Sequence, residues 1–367
     1  MKSFYHLVEE VQNPGLCNSC GGCVNFCTAI NYGALDQDQA GRPVLVDENN
    51  CLECGLCYTI CTETDELEHE LAQRFNWSSP IGQVFNTAVA RSSDPVVLER
   101  ASKGGAITSL LLDLWDKSAI DAALVSRPTG PFTREPHLAT SRQEILEAAG
   151  MSIKMSQGMQ ILSKIYSGNE LALQELRNIM HSKLRKVAFV GPPCQIKSIR
   201  KMELLELVPA DSIKYFLGMF CFGHYNLGEQ ERVTLERMGG FQWEDVEHVR
   251  INGELRIRLR KGGEICFSFA DLEFMKSYAC RFCPDLTAEY ADISFGGLGA
   301  SSGWTSILIR TRKGLDAISF ADKKKLEVSF SRDPNQDVQA INALICEQAE
   351  RKRKEAEENR ARHKQVD

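Results

Sequence analysis

The spacing of apolar and polar positions changes character near residue 80. Up to residue 61 the chain is punctuated by cysteines, and beyond 80 short apolar runs alternate with helical spacing. Residues 101–115 (Ala-Ser-Lys-Gly-Gly-Ala-Ile-Thr-Ser-Leu-Leu-Leu-Asp-Leu-Trp) read as a glycine turn opening a helix. Residues 120–126, 186–190, 213–222, 293–295 and 306–310 read as short buried strands, the second stopped by Gly191-Pro192-Pro193. Residues 249–260 alternate, and with 262–268 they predict antiparallel strands around Lys261-Gly262-Gly263. Helical spacing marks 144–149, 159–178 and 338–364. The last of these ends in a dense charge run, read here as a solvated helix rather than a docking arm.

Strands and helices mix without a regular βαβ alternation, so the expected class is α+β rather than a doubly wound sheet. Three parts are expected: an N-terminal module over residues 1–80, a mixed α/β domain over 81–325 and a charged helical arm over 326–367. The polar Asn76-Trp77-Ser78-Ser79-Pro80-Ile81-Gly82 carries a Ser-Pro turn signal and is read as a linker.

The 367 residues suffice for a large core. The balance of 43 Lys+Arg against 49 Asp+Glu leaves 43 − 49 = −6, with no global reason to bind nucleic acid or an anionic membrane. No apolar run approaches the ~20 residues of a spanning helix. The start, MKSFYHLVEE, has no apolar core of a signal peptide, so a cytoplasmic protein is expected, membrane association coming only through a partner.

The 14 cysteines change this picture. In a reducing compartment such density points to metal. Cys17, Cys20, Cys23 and Cys27 follow C-x2-C-x2-C-x3-C, and Cys51, Cys54, Cys57 and Cys61 repeat it. This is the bacterial ferredoxin spacing, in which the fourth cysteine of each run ligates the other cluster. One 4Fe-4S cluster is therefore expected on Cys17, Cys20, Cys23 and Cys61, and another on Cys51, Cys54, Cys57 and Cys27. Zinc sites use pairs of C-x2-C instead. Thr28 and Thr62 stand where proline usually follows the fourth cysteine. Two such clusters form an electron wire. A group that exchanges electrons in pairs, a flavin, is expected elsewhere in the chain.

Further on come Lys103-Gly104-Gly105-Ala106-Ile107-Thr108, then Ala148-Ala149-Gly150-Met151-Ser152-Ile153-Lys154 and Gly191-Pro192-Pro193-Cys194-Gln195. Gly218-Met219-Phe220-Cys221, Cys280-Arg281-Phe282-Cys283-Pro284-Asp285 and Ala291-Asp292-Ile293-Ser294-Phe295-Gly296 with Gly303-Trp304 follow. In that order they resemble the coenzyme F420 hydrogenase/dehydrogenase beta-subunit family, from about residue 84 to the C-terminus. The resemblance implies FAD, hydride exchange with coenzyme F420, and single electrons passed through clusters to a redox partner subunit in a hetero-oligomer.

It also implies flavin contacts at Lys103, Gly104, Gly105 and Thr108, where a helix N-terminus can face a pyrophosphate. Alone, the Gly-Gly pair reads also as an ordinary turn. Ser152, Lys154 and Ser156 form a second cofactor set, with a surface lysine as the plain alternative. A third 4Fe-4S cluster on Cys194, Cys221, Cys280 and Cys283 rests on the resemblance alone, the rival being buried thiols. Cys266 and Cys346 read as core residues and His224 as structural, while Trp304 reads equally as pocket or core. Two other functions remain open: a ferredoxin-driven FAD reductase of another organic substrate, and a relay subunit without a substrate pocket.

Overall fold

The computed structural model describes residues 2–30, 32–154, 159, 162, 186–251, 253–330 and 337–363. Ser156 and most of the helix expected over 159–178 lie outside these. The strands are β1 (Leu35–Gln37), β2 (Pro43–Leu45), β3 (Asn86–Ser92), β4 (Ala122–Pro128), β5 (Arg134–Ala139), β6 (Val187–Gly191) and β7 (Ile213–Met219). They continue as β8 (Val246–Ile251), β9 (Leu255–Leu259), β10 (Glu264–Phe267), β11 (Ile293–Gly296), β12 (Thr305–Ile309) and β13 (Leu326–Ser329).

Eight strands form one mixed sheet in the order β13-β3-β12-β11-β7-β6-β4-β5. Its centre is parallel, since β4 pairs with β6, β6 with β7 and β7 with β11 in one direction. The outer strands run antiparallel. The fold is thus mixed α/β, as expected for the large domain, with a parallel heart that the overall α+β class did not specify. Among the described residues, only β6, the helix Pro193–Leu204 and β7 are consecutive in the chain as a βαβ unit. Long insertions elsewhere hide the alternation. The run 249–260 is two strands, β8 and β9, broken where Gly253 takes φ +79°. Residues 326–329 are the edge strand β13, not the start of an arm.

Period-two alternation sends side chains into two cores. Ala123, Ala188, Tyr215 and Leu217 face a core shared with the helices Ala106–Asp116 and Arg312–Ser319. Leu124, Phe189 and Phe216 face the opposite core with Ile196, Ile199 and Met202. That second core also takes Phe26, Ile60 and Leu71 from the N-terminal module, so the module is packed onto the large domain rather than standing apart.

Polar contacts seal the seam. Ser198 Oγ donates to Ile60 O at 3.3 Å, and Lys201 Nζ donates to Cys61 O at 2.7 Å and Thr64 O at 3.2 Å. The approach is close enough that a Cβ on Gly22 would stand 1.9 Å from Ser198 Oγ. The expected linker is a packed turn. Trp77 Nε1 donates to Glu289, and buried Arg310 donates to Ile81 O and Gln83 O at 2.6 and 3.1 Å.

The C-terminal helix Val338–His363 also departs from expectation. Ile341, Ile345, Ala349 and Ala356 are buried, and Arg353 pairs with Glu289 at 2.6 Å. Arg360 pairs with Glu63 at 2.8 Å, so one helix clamps both parts of the chain. No helix among the described residues is long and apolar enough to cross a membrane.

Candidate functional site

Parallel strands place their binding loops beyond their carboxyl ends. β6 ends at Gly191, and Pro192-Pro193 stops the strand and starts the next helix, which puts Cys194 in its first turn. β7 ends at Met219 and delivers Cys221 two residues on. β11 ends at Gly296 and opens the glycine-rich stretch to Gly303. Three adjacent strands therefore bring two cysteines and a glycine-rich loop to one edge of the sheet.

The thiols lie in three electrostatically coupled sets. Burial pushes Cys23 well above an ordinary thiol, and the charges of Cys20, Cys17 and Cys61 push the same way. Burial likewise takes Cys57 up to about 12, with Cys54, Cys51 and Cys27 adding to it. The fourth cysteine of each run thus stands with the first three of the other. Burial raises Cys194 well above its usual value, followed by Cys20, Cys221, Cys283 and Cys280. Scattered over 90 positions, the core cysteines come together because Cys280 lies in the short helical turn Tyr278–Phe282 that Cys283 caps, and Cys221 acts electrostatically on Cys280. Neutral buried thiols become thiolates when they take a metal.

The sets also touch one another. Cys20 is the strongest thiol influence on Cys194, and Cys57 acts on Cys23. The order runs from the core set through the Cys17, Cys20, Cys23 and Cys61 set to the Cys27, Cys51, Cys54 and Cys57 set.

The surroundings fit iron–sulfur groups. Cys27, Cys51, Cys54 and Cys57 together line a cavity with Phe4 and Phe26. Gly21 and Gly55, at φ +84° and +73°, bend the chain inside both runs as few other residues could. Asn25, between Cys23 and Cys27, is fully buried with neither amide atom partnered among the described residues, a donor left for a bound group. Cys280 and Cys283 border a polar cavity of about 290 Å³ roofed by Lys352, Asn359 and Arg362. The His224 amide donates to Cys280 Sγ at 3.3 Å. Burial takes the His224 imidazole down to about 4, with Lys154 adding to it, so the ring is neutral at pH 7.

The first cofactor set lies at the same sheet edge. Gly105, at φ +69°, starts the helix Ala106–Asp116 with no side-chain cap, which leaves its first amides free of side-chain acceptors. Gly104 runs so close to its neighbours that a Cβ would stand 2.7 Å from Ala90 O and 3.0 Å from Gly303 O. Thr108 is buried in that helix. The Lys103 chain crosses Gly297, where a Cβ would meet its Cε at 2.5 Å. Burial lowers its ammonium, and no carboxylate pairs with it among the described residues. Arg91 flanks Gly303 on the other side. Two cations, an uncapped helix start and bare glycine backbone make a cradle for an anionic group.

Ser152 and Lys154 adjoin this cradle, because Met151 N donates to Ser102 Oγ at 3.1 Å. Ser152 Oγ donates to Phe132 O at 2.5 Å, and Lys154 reaches toward His224. Trp304 and Cys346, both half-buried, pack against the small core under the C-terminal helix. Cys266 is a correction: it projects from the outer face of edge strand β10 and is exposed. Lys352, Lys197, Lys201 and Asn25 emerge only in the fold, since no spacing marks them among many similar residues.

Family models match over most of the chain. The beta-subunit N-terminal model of coenzyme F420 hydrogenase/dehydrogenase covers residues 87–163, and its C-terminal model covers 184–333. A 4Fe-4S dicluster domain covers 9–62. The chain belongs to the coenzyme F420 hydrogenase/dehydrogenase beta-subunit family. It is an iron–sulfur oxidoreductase chain of that family, with a dicluster domain at its N-terminus. The coenzyme F420 hydrogenase subunit beta of Methanococcus voltae is 27% identical over 77% of this chain and 97% of its own. An F(420)H(2) dehydrogenase subunit of Methanosarcina mazei is 24% identical over 92% of this chain and 90% of its own. A chain of the F420-reducing NiFe hydrogenase complex from Methanosarcina barkeri shares the fold, with TM-score 0.66 and 22% identity, over 77% of this chain and 93% of that one.

Proposed function

We propose that this chain moves a hydride between coenzyme F420 and FAD and exchanges single electrons with a partner subunit through three 4Fe-4S clusters. The observation that carries this reading is the contiguous series of three four-cysteine sets, which begins at the sheet edge that also bears the Lys103 cradle. FAD, when bound, exchanges electrons with its substrate in pairs and with clusters singly. Relatives named for F420 hydrogenase and F(420)H(2) dehydrogenase subunits support the substrate and the hetero-oligomer.

The chain's own residues have distinct work. Lys103, Gly104, Gly105 and Thr108 would hold the FAD pyrophosphate, with the Ala106–Asp116 helix start facing it. Ser152 and Lys154 would border the ring side, and Ser156 stays a candidate from the sequence alone. Lys154 places a cation there, which favours an anionic reduced ring. Cys194, Cys221, Cys280 and Cys283 would hold the cluster next to the flavin. The two N-terminal sets would carry electrons onward to the partner.

Lys103→Ala tests the flavin site, since Lys103 forms no ion pair within the protein among the described residues. Loss of a charge-assisted bond costs about 1.5–3 kcal/mol, so FAD should bind roughly 10- to 150-fold more weakly with iron content unchanged. Equal FAD affinity in the variant, by fluorescence titration, would place the flavin elsewhere.

A further inference from the structure

The C-terminal helix does more than clamp the fold. Asn359 Nδ2 donates to Arg281 O at 2.8 Å, and Arg360 Nε donates to Phe282 O at 3.1 Å. Both grip the two residues between Cys280 and Cys283. Earlier in the helix, Lys352 Nζ donates to Cys221 O at 2.7 Å and Asp285 O at 2.6 Å. Its ammonium is thus fixed between one core cysteine and the segment that follows another.

Other cations around the core set are matched by carboxylates. Lys197 pairs with Glu68 at 2.8 Å, and Lys276 and Arg281 lie 3.5 and 4.0 Å from Glu273. Lys352 alone of these four donates only to neutral carbonyls, and no carboxylate lies within ion-pair distance of it among the described residues. Its charge acts on Cys283, Cys221 and Cys280, with the Asp285 carboxylate sharing its field beyond ion-pair distance.

We propose that Lys352 is a positioning residue that sets the reduction potential of the group held by Cys194, Cys221, Cys280 and Cys283. This rests on the third cluster of the proposed function. Reduction adds one negative charge to that group. A fixed cation nearby favours the reduced form, all the more where water is partly excluded. The helix then supplies the charge that separates the core cluster's potential from those of the two N-terminal clusters.

The test is an anaerobic, EPR-monitored redox titration of the full-length holoprotein with K352Q and K352R. Glutamine removes the charge and keeps two N–H donors on a side chain one atom shorter. K352Q should shift the reduction equilibrium of the core signal about tenfold toward the oxidised form, ~59 mV for one electron. Iron content and the two N-terminal signals should stay put, and K352R should restore the wild-type value. An unmoved core signal in K352Q with full iron overturns the proposal. Loss of about four iron atoms in K352Q overturns it too, because Lys352 is then a structural strap. Failure of the third cluster itself is read separately, as a wild-type protein with only two cluster signals.

Discussion

Cys194→Ser should remove about four of about twelve iron atoms, counting four per cubane, and leave the N-terminal clusters in place. It should also cut electron flow from a substrate-reduced flavin to those clusters by several orders of magnitude. The expectation follows from position. Cys194 is held at a helix start by Gly191-Pro192-Pro193, and among the thiols its strongest neighbour is Cys20 of the next set. On the proposed function it joins the sheet edge to the N-terminal cysteine sets. Flavin reduction by its own substrate should survive, because the Lys103 cradle lies on other loops. Iron analysis and freeze-quench EPR read both effects. Full iron in the variant would show that Cys194 is not a ligand. Cys266→Ala, on the exposed edge strand, should change neither iron nor transfer.

Deleting residues 1–80 should leave an insoluble or molten chain. Phe26, Ile60 and Leu71 are buried against Ile196, Ile199, Met202 and Phe216. Fully burying side chains of this size contributes about 1.5–3 kcal/mol each, so the three together supply roughly 5–9 kcal/mol. A whole domain has only about 5–15 kcal/mol to lose. The deletion also strips Lys201, whose side chain is fully buried, of Cys61 O, Thr64 O and Glu68. Soluble yield and thermal melting followed by circular dichroism check this. A soluble truncated chain with a cooperative melt would mean that the module is an independent domain after all.

The metal chemistry is the most legible part of the sequence, because ferredoxin spacing encodes a local wrap that needs no knowledge of the rest of the fold. The central strands are legible for a similar reason: β4, β6, β7, β11 and β12 are short, largely apolar runs. Their parallel pairing is not, since register and direction arise from contacts across long insertions. Composition misleads for the linker and the C-terminal helix. Polar and charged residues there do not simply face water: Trp77, Arg353 and Arg360 reach Glu289 and Glu63 across 64 to 297 positions. Alternation misleads for Cys266, because it gives a strand's two faces but not which one is covered. Lys352 carries no signal at all, being one lysine in a run of charges whose role depends on a carbonyl 131 positions away.

The central claim is that electrons enter or leave as a pair at a flavin that exchanges hydride with coenzyme F420, and travel singly through the cysteine series. Anaerobic rapid mixing of the holoprotein with reduced coenzyme F420, NADH and NADPH in turn, with flavin and cluster absorbance followed together, tests it most directly. The account predicts flavin bleaching by the reduced deazaflavin alone, followed by bleaching of the clusters. Bleaching by a nicotinamide and not by the deazaflavin, or cluster reduction with no flavin present, would contradict it.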